Sequence, residues 1–122
     1  MTPHAENCLK HVTEICLAFP EAEREMLTRH AAFLVRTKKF AYYLDDHHGD
    51  GIVSVCVRTD FGRNAELAQQ DPDRFYIPAY IGPRGWVGLR LDVPDVDWDE
   101  VRDALEGSYL MAAPRSLARL LG

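Results

Sequence analysis

Phe33-Leu34-Val35-Arg36-Thr37-Lys38-Lys39-Phe40-Ala41-Tyr42-Tyr43-Leu44 carries the pattern that decides the fold class. Phe33 and Val35 alternate with Leu34, the period of two that a half-buried strand requires. Arg36-Thr37-Lys38-Lys39 makes a tight polar turn, and the next strand is expected to hold Phe40, Tyr42 and Leu44 on one face. Asp45 to Gly51 is a polar, glycine-containing loop. Ile52 to Arg58 then returns as a strand, with Val53, Val55 and Val57 on one side. Connections this short cannot carry a crossover, so the three strands run antiparallel. A weaker strand signal, around Glu25 to Thr28, precedes them.

Outward from this core the signals become helical. Thr2 is a good N-cap with Pro3 at the first helical position. After it Ala5, Cys8, Leu9, Val12, Ile15, Cys16 and Phe19 recur at three- and four-residue spacing, an amphipathic helix closed by Pro20. On the other side, a short helix is expected from Asn64 to about Gln70. Phe75 to Ile81 and Trp86 to Leu91 read as a second hairpin around Gly82-Pro83-Arg84-Gly85. Asp97-Trp98-Asp99-Glu100 has the form of a capping box and opens a helix through Val101, Leu105 and Tyr109. Pro114 starts a last short helix, with Gly122 as its stop. Helices at both ends and strands between them predict an α+β fold: one domain over residues 1–122, an antiparallel sheet with the N- and C-terminal helices on one face.

Composition narrows the function classes. A chain of 122 residues with 47% hydrophobic and 27% charged residues is an ordinary globular domain. It has no apolar run long enough for a bilayer, and its N-terminus lacks the basic start and apolar stretch of a signal peptide, so a cytoplasmic protein is expected. Cys8, Cys16 and Cys56 contain no C-x-x-C pair and are expected to be reduced and buried. The net charge of −5 is unevenly spread. From Arg24 to Phe40 five cations face one acid, a local balance of +4, whereas from Asp92 to Glu106 seven acids face one cation, a balance of −6. A local basic surface steers an anionic partner even when the total charge is negative.

Arg74-Phe75-Tyr76-Ile77-Pro78-Ala79-Tyr80-Ile81-Gly82-Pro83-Arg84-Gly85-Trp86-Val87-Gly88-Leu89 resembles the signature of the MmcQ/YjbR-like family: an aromatic pair, Pro-x-Tyr, then Gly-x-x-Gly-Trp-Val running into a strand. His30-Ala31-Ala32-Phe33 with Lys39-Phe40-Ala41 is similar to the family's first hairpin. Asp97-Trp98-Asp99-Glu100 and Ala113-Pro114-Arg115-Ser116-Leu117-Ala118 are similar to its C-terminal helices. The resemblance runs from about residue 5 to residue 121. It implies a frataxin-like arrangement of helices on one sheet face, and DNA binding through two protruding hairpins, or wings. It brings no catalytic residues. Where members often carry glycine in the first turn, this chain has Arg36-Thr37-Lys38-Lys39, a more basic wing.

The candidate nucleic-acid-binding residues are therefore Arg36, Lys38 and Lys39 on the first wing and Arg84 on the second. Such residues contact phosphates and supply affinity without reading sequence, so DNA binding should be weak and largely non-specific. Phe75, Tyr76, Tyr80 and Trp86 could stack on bases, although at strand spacing such aromatics more often pack a hairpin. Asp45-Asp46-His47-His48-Gly49-Asp50-Gly51 is the one stretch with metal-ligand chemistry. Adjacent histidines at a strand end point to opposite faces, so no shared ion is expected. No P-loop, dinucleotide fingerprint, nucleophile elbow or H-E-x-x-H is present, and neither catalysis nor a cofactor is expected. The alternative is a module that binds a protein or small ligand in a groove between sheet and helices, with the acidic C-terminal helix as a partner face.

Overall fold

The computed structural model describes residues 2–121. Helix α1 spans Pro3–Leu17, and the hydroxyl of Thr2 accepts the Ala5 N–H at 3.1 Å, the N-cap its sequence predicts. Four strands follow: β1 (Ala22–Leu27), β2 (His30–Val35), β3 (Lys38–Asp45) and β4 (Val53–Arg58). Then come α2 (Arg63–Gln70), β5 (Phe75–Tyr76), β6 (Trp86–Arg90), α3 (Trp98–Ala112) and α4 (Arg115–Ala118). Asp97 caps α3 by accepting the Asp99 and Glu100 N–H groups. The expected stop at Gly122 lies outside the described residues.

One six-stranded sheet results, in the order β1-β2-β3-β4-β6-β5, with every neighbouring pair antiparallel. The fold is α+β, as the pattern predicts. α1 and α3 lie on one sheet face, and there Val12 and Ile15 share a core with Phe33, Phe40, Val55 and Leu89, with Leu9 packed at its margin. Tyr109 of α3 meets Phe40 edge-on at 5.4 Å between centroids and donates from its hydroxyl to Pro20 O. The same helix ties itself to the sheet backbone through buried Ser108. Its hydroxyl donates to Phe40 O and accepts from Arg58 N–H.

Three expectations need correction. Phe40, Tyr42 and Leu44 do not share a face. The β2–β3 register slips between Phe33 and Leu34, so Ala41 faces Phe33 while Lys39 faces Leu34, and Phe40 is the extra residue of a bulge. Phe40 and Tyr43 consequently enter the helix-side core, whereas Tyr42 and Leu44 turn to the open face. The second hairpin is also shorter than its sequence suggests: only Phe75 and Tyr76 pair with β6. Pro78 has no N–H to give to a ladder, and residues 77–85 instead close local turns such as Gly82 N–H to Pro78 O at 3.0 Å. Finally, the weak strand signal is a full outer strand, β1.

Candidate nucleic-acid interface

Strand register determines which loops meet. Val35 pairs with Lys38, Ala41 with Val57, Val57 with Val87, and Arg58 with Trp86. The β2–β3 turn, the end of β4 and the start of β6 are therefore at one end of the sheet. β3 and β6 are two strand spacings apart there, about 10 Å. Both predicted wings thus sit at the same end, one on either side of β4.

The first wing turns on Arg36 and Thr37, whose φ angles of 48° and 70° are both left-handed. That geometry matches a two-residue hairpin turn whose twist suits the flanking strands. Of the predicted cations, Arg36 is engaged: its Nε and Nη2 donate to Glu21 Oε1 and Oε2 at 2.7 and 2.9 Å. The hydrogen bond from Arg36, opposed by some desolvation, holds the Glu21 carboxyl below the usual carboxylate range. Lys38 is exposed and Lys39 half-buried.

The second wing is a turn with a 3-10 segment at Gly82–Arg84, followed by Gly85 at φ 95°. A β-carbon on Gly85 would lie 3.0 Å from Thr59 O, and the close approach is used: Thr59 N–H and Oγ1–H both donate to Gly85 O, at 2.9 and 2.7 Å. Buried Asn64 adds bonds to Gly82 O and Trp86 O at 2.9 and 3.0 Å. The turn bearing Arg84 is thereby fastened to the β4–α2 loop.

That loop holds what sequence reasoning missed. Phe61 is 93% exposed between Arg58 and Arg63. The only signal available was an aromatic residue set in the polar run Thr59-Asp60-Phe61-Gly62-Arg63. Among the described residues, no carboxylate lies within 4.0 Å of the charged nitrogens of Lys38, Lys39, Arg58 or Arg84, whereas Arg63 pairs with Glu66 at 3.1 Å. The aromatics with stacking potential are differently placed. Phe75 and Trp86 are buried, and the Tyr76 hydroxyl lies 2.6 Å from that of Ser54, while Tyr80 is exposed but belongs to the open face of the sheet.

The histidine loop also departs from expectation. Residues His47–Gly49 form a 3-10 turn rather than a strand end, with Asp46 and His48 at φ 54° and 58°. Left-handed backbone at these positions turns the two imidazoles toward each other, with centroids 3.9 Å apart, and His30 stands 5.2 Å from His47. Among the described residues no group of three or more His, Cys, Asp or Glu is arranged to hold a metal ion. The three cysteines are free and buried. No helix among the described residues is long and apolar enough to cross a membrane.

A family model described as YjbR matches residues 17–111, most of the chain and every predicted wing residue. The chain belongs to the YjbR family. The YjbR-type fold is seen again in the crystal structure of Deinococcus radiodurans protein DR2400, which carries the DUF419 family-model domain. The two chains superpose with a TM-score of 0.69 at 21% identity, over 93% of this chain and 87% of that one. No curated protein matches this YjbR chain in sequence.

Proposed function

We propose that this YjbR-family protein is a non-enzymatic nucleic-acid-binding module that holds DNA weakly and largely without sequence preference at the wing end of its sheet. The observation that carries this reading is the convergence of three loops. They bring Lys38 and Lys39, Arg58, and Arg84 to one end of the sheet, none with a carboxylate partner among the described residues. Unpaired cations of this kind neutralise phosphates and release counterions, which is the source of non-specific affinity. Exposed Phe61, flanked by Arg58 and Arg63, adds a ring on which an unstacked base could lie. Asn64, at the start of α2, is buried and committed to Gly82 O and Trp86 O, so its amide is not free to read base edges.

Fluorescence anisotropy with a labelled duplex and a labelled single strand at low salt tests the proposal. Binding is expected with Kd on the order of 10⁻⁴ to 10⁻⁶ M at physiological salt, and roughly three or four phosphate contacts give a log–log salt slope of about −3 to −4. The double variant Lys38→Glu, Lys39→Glu should weaken binding and flatten the slope by about 2. Phe61→Ala should weaken single-strand binding with the slope unchanged. Absence of binding by the native chain, or equal binding by the double variant, would overturn this reading.

A further inference from the structure

The open face of the sheet, opposite the helices, carries a second candidate site at the far end from the wings. Tyr76 and residues 78–81 lie opposite Tyr42 and Leu44 of β3, and with the histidine loop they line a half-open cavity of about 400 Å³. Its walls are mostly apolar or aromatic, among them Tyr42, Leu44, Tyr76, Pro78 and Ile81. At one end stand His30, His47 and His48, the imidazole group described above. A concave apolar chamber of roughly 300–1,000 Å³ with a few convergent polar groups is the usual form of a small-molecule site.

The polar end is oriented by the backbone. His30 Nδ1 accepts the Asp45 N–H at 3.2 Å, so its proton sits on Nε2, which can donate. Among the described residues of the lining Asp50 is the one carboxylate, and its Oδ1 is already held by Ile52 N–H at 2.9 Å. Three imidazoles against one engaged carboxylate favour a hydrogen-bond acceptor carrying negative charge. Two further features mark the rim. His48 and Tyr80 hold left-handed φ angles of 58° and 67°, an uncommon backbone for non-glycine residues. Tyr80 and Leu27 leave large apolar surfaces exposed there, at 82% and 45%.

We infer that this cavity binds a small planar aromatic molecule bearing one anionic group, its ring between Tyr42, Tyr76 and Ile81 and its anion against His30, His47 and His48. The inference is independent of nucleic-acid binding, because the histidines lie at the end of the sheet where Asp45 pairs with Val53, away from Lys38 and Arg84.

Calorimetric titration with 2-naphthoate and with neutral 2-naphthylmethanol tests it. 2-Naphthoate should bind with Kd on the order of 10⁻⁴ M, and the alcohol about tenfold more weakly. The double variant His47→Asn, His48→Asn should bring 2-naphthoate down to the level of the alcohol. Ala79→Trp and Leu44→Trp, which introduce bulk into the lining, should each abolish binding of both probes, with folding checked by circular dichroism. Lys38→Glu with Lys39→Glu should leave the titration unchanged. No heat with 2-naphthoate at millimolar concentration, equal affinity for the two probes, or undiminished binding in both folded tryptophan variants would overturn the inference.

Discussion

Arg36 and Glu21 form a two-pronged ion pair across the tip of the first wing, with both guanidinium–carboxylate bonds under 3 Å. The pair links the turn after β2 to the residue just ahead of β1, and it withdraws one wing cation from any phosphate. Releasing it should strengthen binding. Glu21→Gln is expected to raise DNA affinity at low salt and steepen the salt slope by about 1, because one more cation becomes available. Anisotropy titrations of native and variant protein at several salt concentrations check this, and an unchanged slope would place Arg36 outside the interface.

Ser108 supports the wing end from below. Its hydroxyl serves Phe40 O and Arg58 N–H at once, in full burial. Ser108→Ala leaves a buried carbonyl and a half-buried N–H without this partner, and an orphaned buried group costs about 1–3 kcal/mol. A loss of about 2–4 kcal/mol in urea unfolding is expected, together with faster amide exchange at Arg58. A loss below 0.5 kcal/mol would mean that water replaces the hydroxyl.

His47 predicts a pH effect. Burial first, then the neighbouring imidazoles of His48 and His30, hold its pKa below the ordinary histidine value, with Asp50 opposing. The unfolded chain therefore takes up a proton that the folded chain resists. The stabilising contribution is full above the unfolded pKa of about 6.5 and is lost as pH falls below it. Melting temperatures at pH 8 and pH 5 should differ less for His47→Asn than for the native chain. Equal differences would show that the loop relaxes when charged.

Cys56 tests the packing of the open face. Its thiol is fully buried between β3 and β6, and burial pushes its pKa up to about 11 despite the nearby Tyr76 and Ser54 hydroxyls. Iodoacetamide at pH 8 should leave Cys56 unmodified in the folded protein and alkylate it in urea, because only the exposed thiolate reacts. Mass spectrometry of the peptide containing Cys56 reads the result directly. Rapid labelling of the folded protein would show that β4 is open to solvent.

Much of this architecture is legible in the residues. Thr2-Pro3 and Asp97 announce their helices because capping is local chemistry, and Val55 and Val57 announce a strand because each faces the core. What escaped depends on partners distant in sequence. The bulge that moves Tyr42 to the open face exists only in the pairing of β2 with β3 and has no mark in either strand alone. β1 is faint because its residues are nearly all exposed, so no apolar alternation is present. The convergence of His47 and His48 follows from left-handed backbone at Asp46 and His48, which a strand-end reading could not supply. Of the candidate site, Lys38, Lys39 and Arg84 were recognisable as turn cations. The ion pair that occupies Arg36 was not, because Glu21 lies 15 residues earlier.

The two outer strands of the sheet have a consequence for behaviour at high concentration. β5 is only Phe75–Tyr76, too short to serve as a template for another chain, but β1 offers six residues with one backbone edge unpaired. Bare edges of that length invite strand addition between molecules. Glu23, Arg24 and Glu25, all exposed, put alternating charges along it, beside apolar Met26 and Leu27. Those three side chains act as guards against aggregation, so neutralising them should leave the fold intact while making the protein difficult to keep in solution.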